Sequence, residues 1–376
     1  MNKFTLSFFA LLLLVSCSSP KLTIVVSNSL GIDRKSEMVE VKTNTLTADF
    51  QTKSYILKND KNEEVAYQLI YDENKKPETL IFQANVDANK EVTYTLSEGK
   101  PAEVKPKTFA RFVPERKDDF AWENDLAAYR MYGPALANEN PSNGVDLWLK
   151  CTDDLIVDKF YGDELNHEIS YHVDHGLGLD CYKVAHTLGC GGIAPYASDS
   201  LWIGNHYVSY KVLENGPLQS VFQLTYDSVK VGDNYYKQEI TITTNAGSML
   251  NKGVVKYTGP DQNMELATGI YLHDKIDNLK QNVENGTSGY AENAVSDAGV
   301  PAGRNYIGVF IPEKVNNVRT IDDHALMLSS YKVGDTFTYY FGGGWNKWGY
   351  PTDDDWFKAL DHFSEITKNP LKITIK

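Results

Sequence analysis

Polar and apolar residues alternate one by one along much of this chain. The segments Glu64–Tyr71, Glu91–Leu96, Ser220–Tyr226, Gln238–Thr243 and Thr336–Phe341 each follow a period of two, which puts every second side chain on one face of a strand. They are rich in β-branched and aromatic residues. Turn formers such as Asn59-Asp60, Glu214-Asn215-Gly216 and Gly232-Asp233-Asn234 stand among them. Strands recur at short intervals with little helix between, a pattern of antiparallel sheets and not of βαβ units. One helix is expected near the C-terminus. There Trp356, Leu360 and Phe363 fall at i, i+4 and i+7, behind a cap at Asp353 or Asp354 and an acidic first turn. Leu371–Ile375 reads as a closing strand. The expected fold class is all-β, with one short C-terminal helix.

The stretch 98–107 is polar and carries Pro101 and Pro106, which suits a boundary. Residues 17–100 hold enough short strands for a small N-terminal β-sandwich. Residues 101–107 form the linker, and 108–376 suffice for a large antiparallel sandwich that carries the site. Residues 1–16 read as a leader: Lys3 is followed by the apolar run Phe8–Val15, too short to span a bilayer. Leu14-Val15-Ser16-Cys17 resembles a lipobox, so cleavage would leave Cys17 as a lipidated N-terminus. A plain secretory leader containing a cysteine is the alternative. No later segment is long and apolar enough for a transmembrane helix.

The net charge of −13 opposes a nucleic-acid partner. Cys151, Cys181 and Cys190 are odd in number, so the chain is no disulfide scaffold; Cys181 and Cys190 either bridge a short loop or stay free. The absence of CxxC excludes a zinc site of that type.

Five of eight histidines lie between 167 and 206: His167, His172, His175, His186 and His206. Read as a strand, Glu168–Asp174 would put His172 beside Asp174 on one face, a pairing that fixes an imidazole tautomer for general base work. His175 opens a glycine-rich turn and could face the same cleft. A divalent metal held by His172, Asp174, His175 and Asp180 is the rival reading, though their spacing matches no specific motif, and backbone satisfaction is the bland one. Gly189-Cys190-Gly191-Gly192 lacks the lysine of a P-loop and reads as a tight turn with close backbone approach. Lysine outnumbers arginine 31 to 6, so the arginines in aromatic or glycine settings stand out: Arg111, Arg130 and Arg304. A guanidinium can clamp a carboxylate ligand or serve a buried ion pair, for Arg130 with Glu123 or Asp125. Alternation sets Tyr129 and Met131 on one face and Arg130 and Tyr132 on the other. Trp345 in Gly342–Tyr350 and Trp202 in Leu201–Tyr207 sit in glycine-containing loops, where indoles either hold sugar rings or fill core.

Two motifs resemble a known family. They are Glu123–Leu136 and the run Tyr171–Val184 with Thr187–Gly192. Together they are similar to a domain-of-unknown-function family of Bacteroidota secreted proteins and lipoproteins, whose members often accompany pectin and uronate degradation. The resemblance implies a galactose-mutarotase-like β-sandwich, a large super-sandwich in the second part of the chain. It fixes no catalytic residue. Lipoproteins of this kind that are displayed outward often carry acidic residues after the cysteine. Ser18-Ser19-Pro20-Lys21 has none, so a periplasm-facing anchor in the outer membrane is expected, with the lipid on Cys17 as the membrane contact.

The favoured function is β-elimination on uronate-containing, pectin-like oligosaccharides. Such a lyase must neutralise a carboxylate, abstract the neighbouring proton and protonate the leaving oxygen. Arg130 would neutralise, with Arg111 second; His172, oriented by Asp174, would be the base; His175 or Tyr171 would be the acid. Trp202 and Trp345 would hold sugar rings, with Tyr129, His206 and Glu123 as further substrate contacts. No cofactor is required, a divalent metal being the alternative. A glycoside hydrolase using two of Glu123, Asp125 and Glu168, a non-catalytic carbohydrate-binding lipoprotein and a structural factor are the other readings.

Overall fold

Alternation becomes antiparallel sheet in the computed structural model, which describes residues 22–138, 144–274 and 278–376. The leader 1–16 and Cys17 lie outside the described residues. Each segment read as a strand carries one: Tyr67–Tyr71, Glu91–Glu98, Gln219–Val231, Asn234–Asn245 and Phe337–Trp345.

The small sandwich packs two sheets face to face. One has the order Lys372–Ile375, Leu22–Ser27, Glu91–Glu98, Tyr55–Lys58, and the other Arg34–Lys42, Pro77–Val86, Tyr67–Tyr71. Ile24, Val26, Leu57 and Leu96 from the first meet Val39, Val41, Leu80 and Phe82 from the second in a closed apolar core. The closing strand is therefore remote in sequence from its sheet: Val25 pairs with Thr374 and Val26 with Ile373. Residues 101–107 carry no helix or strand.

The large body is an antiparallel super-sandwich. An eight-stranded sheet runs Ser209–Asn215, Gln219–Val231, Asn234–Asn245, Asn251–Thr258, Phe337–Trp345, Pro301–Phe310, Thr287–Val295, Leu279–Asn282. Two five-stranded sheets share one core with it. The first runs Gly178–Asp180, Val145–Lys150, Ala127–Met131, Asp119–Asn124, Thr108–Val113; the second is centred on Cys190–Ala197, Asn263–Tyr271 and His324–Lys332. These two sheets meet where Val145 bridges to Gly189. Gly189 has φ +60°, and a Cβ there would lie 2.2 Å from the Val145 carbonyl oxygen, so the glycine turn serves close backbone approach as its sequence suggests.

Among the described residues two α-helices, not one, cover the outer faces. The C-terminal helix α2, Asp353–Lys368, is capped by Thr352 in a capping box with Asp355, one residue before the acidic run expected to cap it. It buries Trp356, Phe357 and Leu360 on the eight-stranded sheet. From the small sandwich, Arg34 donates to the carbonyls of Ile366 (2.9 Å) and Asn369 (2.7 Å) at the end of α2, which matches a cation to the negative helix end. The helix missed by periodicity is α1, Val157–His167, with Val157, Phe160 and Tyr161 packed on Trp148, Ala121 and Ala128. Its N-cap position is Ile156, which offers no side-chain acceptor. Glu123 caps it from a strand instead, accepting from the Ile156 and Val157 amides at 2.8 Å each and from Lys150 Nζ at 2.8 Å.

Candidate functional site

Strand Ala127–Met131 and its neighbours build a charged cluster between the first five-stranded sheet and α1. Tyr129 and Met131 enter the sandwich core. Arg130 takes the opposite face, as alternation requires, and is buried. Its Nε donates to Asp146 at 2.9 Å, Nη2 to Asp180 at 2.9 Å and to the Tyr132 hydroxyl at 3.1 Å, and Nη1 to the Tyr171 hydroxyl at 3.1 Å. Asp119 stands 3.6 Å from Nη1. Burial pushes the Asp119 carboxyl up to about 6 against the pull of Arg130 and Arg116. Burial and then the Asp146 charge hold Asp180 well above the usual carboxylate range.

Asp180 carries this cluster to the surface. Gly178, at φ +135°, lets the chain return onto strand Val145–Lys150, where a Cβ would lie 1.9 Å from the Leu149 carbonyl oxygen. That return places Asp180 opposite Trp148. The His172 Nδ1 lies 3.1 Å from the Asp180 carbonyl oxygen and 3.5 Å from its carboxylate. A carbonyl only accepts, so Nδ1 bears a proton, and in the neutral ring Nε2 is the acceptor. Among the described residues nothing hydrogen-bonds Nε2. The side chain is 28% exposed. Asp297 flanks it at 3.8 Å, and Lys183 pairs with Asp297 at 3.7 Å.

A second imidazole adjoins this rim. His273 Nδ1 faces Glu292 at 3.0 Å, and Nε2 faces the Lys183 carbonyl oxygen at 2.5 Å. Asn305 donates to Glu292 at 2.9 Å. Burial opposes charge on the ring, but the hydrogen bond to Glu292 and its charge outweigh that, and the His273 pKa lies above the ordinary value. Tyr182 and Tyr271 close edge-on around it, with centroids 4.8 and 5.0 Å away. Proximity in sequence gave no warning of this pair. The available signal was Glu292 on the face of strand Thr287–Val295 that carries Tyr290 and Ala294 into the core.

Over residues 26–373 the sequence matches the family described as Domain of unknown function (DUF4861). The chain belongs to the DUF4861 family. The DUF4861 chain is 28% identical over 375 residues to "Uncharacterized protein P7" of Formosa agariphila (strain DSM 15362 / KCTC 12365 / LMG 23005 / KMM 3901 / M-2Alg 35-1), covering 94% of this chain and 93% of that one. Two solved structures from Enterococcus faecalis are similar in shape. They are an alpha-mannosidase from strain V583 and a protein in the glycosyl hydrolase family 38. Each has a TM-score of 0.47 at 8% identity over 95% of this chain. The chain spans about half the length of those two, 46% and 47%, and likeness of this degree bears on no reaction.

Within the DUF4861 fold the expected site residues part into groups. Arg130, Tyr171 and His172 do meet, with Asp180 as the joint. Glu168–Asp174 is not a strand: Glu168 ends α1 in the left-handed region at φ 55°, and irregular loop follows. Asp174 is therefore not the partner of His172; it accepts from Gly176 N at 2.8 Å and pairs with Lys347 at 3.2 Å. His175 bonds back to the Ser170 carbonyl at 3.1 Å. Tyr171 is buried against Trp148, which removes it as a surface acid. Arg130 is sealed by Asp119, Asp146 and Asp180 rather than by Glu123 or Asp125, and this burial removes it as a substrate clamp. Arg111 is engaged by Asp158 and Glu115, and Arg304 by Asp353.

The expected sugar contacts separate likewise. Tyr129 stacks on Trp122 in the core, Trp345 is buried and donates to the Ala302 carbonyl at 2.7 Å, and Glu123 is buried on Lys150. None of these three can touch a ligand. Trp202 is half-buried and donates to the Ala197 carbonyl at 3.1 Å. His206 is buried. Cys151, Cys181 and Cys190 are free thiols, so Cys181 and Cys190 form no bridge. Among the described residues no group of three or more His, Cys, Asp or Glu side chains is placed to hold a metal ion, and no helix is long and apolar enough to cross a membrane.

Proposed function

We propose that this chain is a carbohydrate-active enzyme that cleaves uronate-containing, pectin-like oligosaccharides by β-elimination, with His172 as the base. The observation that carries the reading is the placement of His172: its Nδ1 lies 3.1 Å from the Asp180 carbonyl oxygen, so that in the neutral ring Nε2 is the acceptor, and the ring is partly exposed. A base for the proton beside a sugar carboxylate needs that arrangement. Lys183, 72% exposed and paired with the Asp297 that flanks the ring, would neutralise the sugar carboxylate in place of the buried Arg130. The acidic surface does not forbid an anionic ligand, because local cations set the field at a site. Hydrolysis of the same substrates is the second reading, favoured by one observation: the exposed Asp297 brings a carboxylate to the rim, with a second, Glu292, buried behind His273. The reading also takes in a lipid on Cys17, an outer-membrane anchor facing the periplasm, an acidic glycan as partner, no nucleic acid and no obligatory cofactor.

The test incubates the full chain with short oligouronates and follows ultraviolet absorbance of unsaturated products alongside new reducing ends. Elimination raises both, hydrolysis only the second, and a binder neither. His172→Ala should lower the elimination rate by about 10²-fold or more while keeping affinity. An unchanged rate overturns the assignment of the base.

A further inference from the structure

We propose that His273 is the general acid of this site and delivers its Nε2 proton to the leaving glycosidic oxygen. The proposal rests on the reading of His172 as base, and adds the group that reading lacks, since Tyr171 is buried and His175 is turned to Ser170.

Both nitrogens of His273 face groups that only accept: the Glu292 carboxylate and the Lys183 carbonyl. Satisfying both requires a proton on each, so the ring stands as an imidazolium. Asn305 donates to Glu292 and keeps that carboxyl an acceptor. The groups facing the ring from its neighbours are Glu292 on its strand, Lys183 and Tyr182 on the segment after Asp180, and Tyr271 on the preceding strand. Only Glu292 among them is a carboxylate, and it sits on the far nitrogen. Nε2 is held by a neutral carbonyl, the partner a substrate oxygen can displace.

Position supports the pairing. His172 is fastened to the carbonyl of Asp180 and His273 to that of Lys183. Three residues span at most about 10 Å, so the two rings are anchored to one short stretch of the rim. Asp297 touches both ends of this stretch, at His172 and at the Lys183 ammonium.

The step balances without an oxidant or reductant. His172 Nε2 takes the proton beside the carboxylate, and that C–H electron pair becomes the carbon–carbon double bond. The carbon–oxygen bond to the leaving sugar breaks with its electrons going to oxygen, which receives the Nε2 proton of His273. His172 ends charged, His273 ends neutral, and solvent exchanges the protons back.

Two measurements on the full chain test this separately from the function itself. Ring-nitrogen NMR of the protein without substrate should show His273 protonated on both nitrogens at neutral pH, and Glu292→Gln should convert it to the neutral ring. A neutral His273 in the unaltered protein overturns the proposal whatever the reaction is. In turnover, His273→Ala should lose about 10²-fold with a sugar leaving group and recover with an activated aryl leaving group that needs no proton, whereas His172→Ala loses both. Equal loss on both substrates, or none, rejects His273 as the acid while leaving His172 as base intact. Loss in both variants with unchanged circular dichroism excludes unfolding as the cause.

Discussion

The His172 ring leans on Asp180 and not on Asp174: Nδ1 lies 3.1 Å from the Asp180 carbonyl oxygen, while Asp174 is held by Lys347 at 3.2 Å. The relationship ties a half-exposed imidazole to a buried charge network, because the same Asp180 receives Arg130 at 2.9 Å. It also yields sharp expectations for substitutions that look alike in sequence.

Asp174→Ala removes an ion pair whose members are 26% and 46% exposed. Exposed pairs contribute about 0–1 kcal/mol, so urea unfolding should move by no more than that and oligouronate turnover should stay near that of the unaltered protein. A hundredfold loss of turnover would restore Asp174 as the residue that orients the base.

Arg130→Leu strips the central cation from Asp119, Asp146 and Asp180, all buried. Breaking such a set by removing one partner costs about 3–5 kcal/mol. The midpoint of urea unfolding should fall accordingly. A variant that keeps full stability but loses uronate binding would return Arg130 to the ligand.

The pH dependence has a definite sign. Asp119 has a native pKa of about 6 against an ordinary 3.8, so the folded chain holds this proton more tightly than the unfolded one. Its favourable contribution is complete below about 4 and is lost as pH rises through about 6, a cost of about 3 kcal/mol. Asp180 acts in the same direction. Urea midpoints taken from pH 4 to 7.5 should show a downward component that Asp119→Asn flattens. An identical slope in both proteins would contradict the raised carboxyl.

The fold was legible where one face of one segment decides the matter. Gln238–Thr243 sits in register inside Asn234–Asn245, and Trp356 and Leu360 do bury on one side of α2. Helix α1 was not legible, because its buried stripe is essentially Val157, Phe160 and Tyr161 and its cap arrives from Glu123, far back in the chain. The site was half legible for the same reason. Histidine density singled out the segment of His172, the ring proposed as base, and alternation set Arg130 apart from Tyr129. Partners supplied across strands, Asp180 for His172 and Glu292 for His273, are set by sheet register, which no local window contains. Tryptophans in glycine loops misled, because Trp345 is enclosed by the strands its glycines allow to approach.

The pairing of Leu22–Ser27 with Lys372–Ile375 has a consequence for how the molecule is made. Strand Leu22–Ser27 gains that neighbour only once residues 372–375 have been made, and until then its open edge is free to recruit other β-segments. The small sandwich thus acts as a clasp, and clipping the last few residues should leave a molecule with a ragged, adhesive seam at the end opposite its chemistry in sequence but joined to the same α2 through Arg34.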